Sequence, residues 1–419
     1  MQRLCIRGGR RLEGEVTAHG AKNSALPLLA ATLLAQGVCT IENCPRLSDV
    51  RASLAILQHL GCRVKQQEST VTVDAAAPTH TDIPDALMRE MRSSIVFLGA
   101  IIARCGQADL TYPGGCELGP RPIDLHLSSL RRLGVEIEEA HGHIRCRTAG
   151  RLRGAPITLA FPSVGATENV LLAACTAEGI TVLRNAAKEP EIGDLCAFLN
   201  ACGARISPAE EGVLVIEGVP ALHGCSYAVL PDRIETATYL AFAAATGSTL
   251  TVRHCCPAHV AAVFLPLEES GCRITVSGDA VRIAAPARLG PMGTVRTMPY
   301  PGFPTDAAAP LVAAACTADG TAVFVESIFE NRYKYVDELA RMGAHIRVDG
   351  RVAVVEGAAS LQGAEVTCTD LRGGAALVTA ALAAGGETAV SGLQHLDRGY
   401  EALDTCLQAL GADIRRTED

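Results

Sequence analysis

Residues 111–127, TYPGGCELGPRPIDLHL, place one thiol, Cys116, behind two glycines and among three prolines. Prolines and glycines at that density exclude a regular helix or central strand, so the thiol belongs to a loop. A loop thiol can serve as an acid or a nucleophile; a buried one is only a small hydrophobe. Cations recur elsewhere at a fixed kind of place. Lys22, Arg92, Arg233 and Arg372 lie just before or within the first turn of apolar helices, and Arg46, Arg121, Lys188, Arg332 and Arg398 precede amphipathic ones. A cation is unfavourable at a helix N-terminus, where the dipole is already positive. Repeating that choice makes sense if anions bind there, held jointly by backbone N–H groups and side-chain charge.

Those cations are positioned by a repeat. A glycine, a variable residue, a polar residue and Val or Ile recur at Gly61, Gly134, Gly203, Gly271, Gly343 and Gly411, 68 to 73 residues apart. Each follows an amphipathic stretch such as DLHLSSLRRLG and reads as a helix C-cap, with an alternating strand beyond it. A second series, Gly37, Gly106, Gly179, Gly247, Gly320 and Gly386, is expected to close helices that are apolar all round and therefore buried. One unit holds a strand pair, a buried helix, a strand, an amphipathic helix and a strand. The last unit lacks a strand partner, and residues 3–17, RLCIRGGRRLEGEVT, match the missing piece. Six units then divide into two domains of three, residues 22–229 and residues 1–21 with 230–419. The class is α/β (α+β).

Composition narrows the function. Net charge is −8, which argues against nucleic acid as a partner. No stretch reaches eighteen apolar residues, so no membrane insertion is expected. Seventeen cysteines without a C-x-x-C pair read as reduced thiols of a cytoplasmic protein. Phosphate-loop, dinucleotide and nucleophile-elbow motifs are missing, and the histidines show no metal spacing, so neither metal nor cofactor is expected. His126, on an amphipathic helix, reads as a packing residue.

The segments GAKNSALPLLAATLL, PGGCELGPRPIDLHL, NAAKEPEI, LPDRIETAT, FPTD, FENRY, TDLRGGAAL and DRGYE follow one another in fixed order. Across essentially all of the chain they resemble the UDP-N-acetylglucosamine 1-carboxyvinyltransferases, the enolpyruvyl transferases that begin peptidoglycan synthesis. The resemblance implies a two-domain inside-out α/β barrel of six βαβαββ repeats, and phosphoenolpyruvate and UDP-N-acetylglucosamine as substrates. It implies that Lys22 and Asn23 touch phosphoenolpyruvate and orient the sugar nucleotide. Arg92, Arg121 and Arg398 would surround the phosphate and carboxylate, with Arg332 and Arg372 on the C-terminal domain. Cys116 would donate a proton to the enolpyruvyl methylene. Arg121, Pro122, Ile123, Asp124 and Leu125 would hold the uridine, and Ser163, Val164 and Gly165 the diphosphate region. Asp306 would bond the attacking hydroxyl and take its proton, and Ile328 would offer a main-chain contact. Two features depart from the family: Phe161 and Pro162 stand where many members offer a lysine, and AAAP follows FPTD.

Such a transfer needs an acid and a base on opposite sides of the reacting carbon. A thiol of reference pKa about 8.5 is mostly protonated at neutral pH, and Arg121 beside it should lower that value. Two other readings stand beside this one. The first is the related transferase acting on shikimate 3-phosphate, against which the Cys116 loop and the 121–125 segment argue. The second is a silent sugar-nucleotide-binding paralogue, against which intact Lys22, Cys116, Asp306 and Arg398 argue.

Overall fold

A computed structural model of the chain describes residues 2–114 and 123–418. Cys116, Arg121 and Pro122 therefore lie outside the described residues. Two compact units emerge: unit 1 comprises residues 2–19 and 231–418, and unit 2 comprises residues 20–114 and 123–230.

Each unit is built on three helices that are buried nearly all round. In unit 2 these are Lys22–Thr32, Phe97–Cys105 and Val164–Ala174; in unit 1 they are Arg233–Thr246, Thr305–Ala315 and Leu371–Ala383. Their sequences explain the burial. TDAAAPLVAAA is fully enclosed from Ala307 onward, because a helix without a polar face gains nothing from water. Alanine-rich surfaces let the three helices of unit 1 pack against one another, so a core without tryptophan can still be dense.

Sheets flank these helices, and their strands alternate buried and exposed residues. Each full sheet has one parallel pair followed by two antiparallel partners. Glu365–Thr367 runs parallel to Glu387–Ser391, which pairs antiparallel with Gln2–Arg7, and that strand pairs antiparallel with Asp413–Glu418. The strand missing from the last repeat is thus the first strand of the chain, in register from Gln2↔Glu418 to Arg7↔Asp413. The sheet of Gln107–Thr111, His143–Arg147 and Glu136–Ala140 has only three strands, its fourth position reduced to a parallel bridge between Asp82 and Asp109.

The glycines that follow the amphipathic helices all adopt positive φ, from 87° at Gly343 to 98° at Gly61. Gly271 shows why: its N–H bonds to Glu268 O while Cys272 N–H reaches Leu267 O, a left-handed closure that glycine alone adopts without strain. The second glycine series differs from expectation. Only Gly106 and Gly247 cap their helices; before Gly37, Gly179, Gly320 and Gly386 the helix has already ended, at Leu33, Cys175, Cys316 and Ala384. Before Gly37, Gly179 and Gly320 the apolar pattern continues into the turn, where Leu34, Ala177 and Ala318 are buried, so hydrophobicity alone does not mark the boundary.

Candidate active site

In unit 1 the chemistry converges on Asp306, second residue of Thr305–Ala315, a helix whose start has no side-chain cap. Pro310 withholds the helical N–H that would bond the Asp306 carbonyl, which loosens the first turn. Arg332 Nη2 donates to Asp306 Oδ1 at 2.7 Å and to Thr305 O at 3.1 Å, and Arg372 Nη2 donates to Asp306 Oδ2 at 3.2 Å. The arginines are 2% and 3% exposed, whereas the Asp306 side chain keeps 27% of its surface. Two guanidiniums therefore back one carboxylate that still faces outward. Arg372 Nη1 also donates to Tyr400 Oη at 3.1 Å, and Tyr400 Oη shares a hydrogen with Thr238 Oγ1 at 2.9 Å. Burial works against the Arg372 charge, but Tyr400, Asp306 and Asp232 outweigh it and raise its pKa further, so the cation is permanent.

Behind this group sits a carboxylate that sequence reasoning missed. Glu326, 2% exposed, accepts through Oε1 from Thr297 Oγ1 at 3.0 Å, Ile328 N at 2.7 Å and Phe329 N at 3.0 Å. Its Oε2 accepts from Thr305 Oγ1 at 2.8 Å. One buried side chain thus ties a strand end, the Ile328 turn and the residue before Asp306. Phe329 in turn lies under Arg332, with the guanidinium 5.5 Å from the ring centroid. The Ile328 N–H is thereby occupied. Arg398 is half-buried in the turn after Leu393–Leu396.

Unit 2 is built around Lys22, first residue of Lys22–Thr32, another helix start without a side-chain cap. Lys22 Nζ donates to Asp49 Oδ2 at 3.0 Å, and Asp49 is buried in the first turn of Ser48–His59. Asn23 beside it is half-buried. Ser24 Oγ bonds to Asp194, which also accepts from Tyr227 Oη at 2.7 Å. Arg92 opens the turn Arg92–Val96 and donates through Nη1 to Pro113 O at 3.3 Å.

Ser163 caps Val164–Ala174 by accepting from Ala166 N at 3.3 Å, which sets the turn of Ser163, Val164 and Gly165. Gly165 is required there: a Cβ would stand 2.9 Å from His126 Cε1. His126 supports the turn from beneath and belongs to a buried network. Asn169 Nδ2 donates to His126 Nδ1 at 2.7 Å and Ile95 O at 3.1 Å, while its Oδ1 accepts from Gly99 N at 2.6 Å. Burial first, then the Arg92 charge, push the His126 pKa down to about 4, so the imidazole is neutral and Nδ1 is an acceptor. Glu168, on the same helix, moves the other way: burial, with Glu191 and Glu189 nearby, pushes it up to about 8. Ile123 is buried at the start of Asp124–Arg132, where Asp124 is exposed and Leu125 half-buried.

Not every recurrent cation joins these groups. Lys188 Nζ pairs with Glu211 Oε1 at 2.6 Å in a solvent-facing ion pair. Arg233 is buried over the Tyr300 ring, 5.8 Å from its centroid. Among the described residues no group of three His, Cys, Asp or Glu could hold a metal ion, and no helix is long and apolar enough to cross a membrane. The missed partners left faint signals. Asp49 is an acid three residues after Arg46, and Glu326 is a charge ending the apolar strand Thr321–Val325.

The fold is that of the enolpyruvyl transferases. Residues 6–407 match the family model for EPSP synthase (3-phosphoshikimate 1-carboxyvinyltransferase). The chain superimposes on the enolpyruvyl transferase NikO from Streptomyces tendae with a TM-score of 0.89 at 29% identity, covering 99% of both chains. On EPSP synthase from Acinetobacter baumannii the TM-score is 0.75 at 19% identity, a likeness of fold over the whole of both chains. In sequence it is 52% identical to UDP-N-acetylglucosamine 1-carboxyvinyltransferase 2 of Caldanaerobacter subterraneus subsp. tengcongensis, over 99% of this chain and all of that one. It is 48% identical to UDP-N-acetylglucosamine 1-carboxyvinyltransferase of Dichelobacter nodosus, over the full length of both. The chain belongs to the EPSP synthase family of enolpyruvyl transferases and, within it, groups with the UDP-N-acetylglucosamine 1-carboxyvinyltransferases.

Proposed function

We propose that this chain transfers the enolpyruvyl group of phosphoenolpyruvate to UDP-N-acetylglucosamine, releasing phosphate, as a cytoplasmic enzyme of peptidoglycan synthesis. The observation that carries the reading is the outward-facing Asp306 carboxylate held between two buried arginines at an uncapped helix start. Full-length identity of 47–52% to the relatives named for this reaction supports the choice of acceptor.

The two units serve as the two domains of the enzyme in this reading. Asp306 accepts a hydrogen bond from the sugar 3-hydroxyl and takes its proton as the oxygen attacks C2 of phosphoenolpyruvate. Arg332 and Arg372 orient it, each guanidinium fixing one carboxylate oxygen. Cys116 delivers a proton to C3, giving a tetrahedral intermediate. Loss of a proton from C3 and departure of phosphate complete the exchange. Lys22, Asn23, Arg92, Arg121 and Arg398 hold the phosphate and carboxylate charges. Pro122, Ile123, Asp124 and Leu125 bind the uridine, Ser163, Val164 and Gly165 line the diphosphate region, and the Ile328 main chain meets the sugar. Neutral His126 under the Ser163 turn adds no charge and acts as packing.

Phosphate release is the test, measured with phosphoenolpyruvate and either UDP-N-acetylglucosamine or shikimate 3-phosphate. Turnover is expected with the sugar nucleotide alone. Turnover with shikimate 3-phosphate, the acceptor in the family model's name, would overturn the assignment.

A further inference from the structure

Burial raises five of the described thiols, Cys146, Cys175, Cys196, Cys316 and Cys368, to about 12. One set in unit 2 differs. Cys202 Sγ and Cys225 Sγ stand 3.3 Å apart, and Cys39 is near enough to act electrostatically on both. Three cysteines from three separate segments thus form one sulfur cluster.

The backbone holds it in place. Cys39 lies on the strand Val38–Glu42; Cys202 closes the helix Pro190–Ala201; Cys225 immediately precedes the strand Ser226–Ala228. Thr40 N donates to Cys225 O and His223 N to Cys202 O, both at 2.8 Å. Gly224 permits the approach, because a Cβ there would meet Val38 O at 2.1 Å. The cluster is graded in depth: Cys39 and Cys202 are buried, whereas Cys225 is half-buried and reaches solvent. The Cys202 thiol, opposed by burial and assisted by the Cys225 backbone and His223, lowers the Cys39 pKa to about 7. Burial, with the neighbouring Cys39 charge, raises the Cys225 thiol above its ordinary value although its hydrogen bond with Cys202 opposes this, so the Cys225 thiolate forms only as a proton passes inward through Cys202 to Cys39.

We propose that Cys202 and Cys225 form a thiol–disulfide exchange site that reacts with low-molecular-weight disulfides and closes into an internal disulfide. A proton passed inward through Cys202 leaves the charge on Cys225. The Cys225 thiolate attacks one sulfur of the disulfide RSSR; the Cys225–SR bond forms, the S–S bond breaks, and RS⁻ leaves. The first RS⁻ takes the Cys202 proton; the Cys202 thiolate attacks the Cys225 sulfur and expels the second RS⁻, which takes the proton held by Cys39. The two leaving thiolates end as two RSH, having taken the two thiol protons. In sum, two protein thiols are oxidised and one RSSR is reduced to two RSH. Proximity makes the second step intramolecular and fast.

The experiment uses the full chain, freed of reductant, with oxidised glutathione at neutral pH. Unreduced tryptic peptides are then read by mass spectrometry. The expected product links residues 189–205 to residues 206–233, with fragment ions placing the bridge on Cys202 and not on its peptide neighbour Cys196. No glutathione is retained, dithiothreitol reverses the link, and it forms about tenfold faster than any adduct on the other described thiols. In Cys202→Ser the second step loses its 3.3 Å partner, and a glutathione adduct accumulates on Cys225. A lasting glutathione adduct on Cys225 of the unaltered chain would overturn the proposal. So would a Cys202–Cys225 link that appears only in denaturant, or a Cys225 that does not react.

Discussion

The helices Lys22–Thr32 and Thr305–Ala315 are the same device in two units. Each has eleven residues, starts without a side-chain cap, and carries proline at its sixth position, Pro27 and Pro310. Their first two residues differ. Lys22-Asn23 pairs its cation with a buried acid, Asp49; Thr305-Asp306 pairs its acid with two buried cations, Arg332 and Arg372. The charges are inverted on a common frame. An uncapped first turn leaves N–H groups for a ligand, and proline at position six releases the carbonyl of position two. The capped helices Arg233–Thr246 and Leu371–Ala383 spend the same N–H groups on Asp232 and Asp370. The fold thus supplies two prepared helix starts, and two residues at each decide whether that start presents a cation or a carboxylate.

The sharpest way to break the contrast is Asp306→Asn, which gives both helices the same second residue. Turnover should fall by about three orders of magnitude, with substrate KM values little changed, because the lost group acts in the transition state. Near-normal turnover would deny Asp306 any part in proton transfer. Lys22→Gln removes the opposite charge. A drop of about a hundredfold in kcat/KM for phosphoenolpyruvate is expected, together with a stability loss of about 3 kcal/mol as buried Asp49 loses this ion pair. Unchanged kinetics with lowered stability would make Lys22 structural only.

Glu326→Gln preserves shape but replaces one acceptor oxygen with a donor. Because Glu326 touches Thr305 and the Ile328 turn, about a tenfold loss in kcat is expected, with the KM for phosphoenolpyruvate unchanged. A loss confined to thermal stability would refute the positioning role. The smallest effect concerns pH. Glu168 holds its proton to about pH 8 when folded but releases it near its ordinary value of 4.5 when unfolded. Stability from this group is therefore complete below 4.5 and declines as pH rises to about 8. His126, lowered to about 4, acts oppositely: stability falls as pH drops from 6.5 towards 4, where only the unfolded chain takes up a proton. From pH 6.5 to 8 Glu168 acts without that opposition, with a slope of at most about 1.4 kcal/mol per pH unit. Melting curves of Glu168→Gln should lose that decline; an unchanged slope would show that another group causes it.

The repeat was legible because closing an amphipathic helix needs a left-handed residue, and glycine marks that position in the sequence six times. The first strand's pairing was legible as a missing partner. Helix ends were not legible where the next turn is buried as well, as after Thr32 and Ala315. In the candidate site, cations at helix starts could be read, but their partners could not. Asp49 lies 27 residues from Lys22, and Arg372 lies 66 from Asp306, distances that only folding spans. Glu326 escaped because its four partners are backbone N–H groups and hydroxyls, which no charge pattern reveals.

The pairing of Gln2–Arg7 with Asp413–Glu418 also sets an order of events during synthesis. The described residues of unit 2 all fall between residues 20 and 230, so its helices and sheets can assemble while later residues are still being added. Unit 1 must keep its opening strand waiting through some four hundred residues, until its partner strand leaves the ribosome. An early-made edge left unpaired for that long is open to pairing with other chains. The short, charged sequence QRLCIR, with arginines at its second and last positions, is suited to that wait.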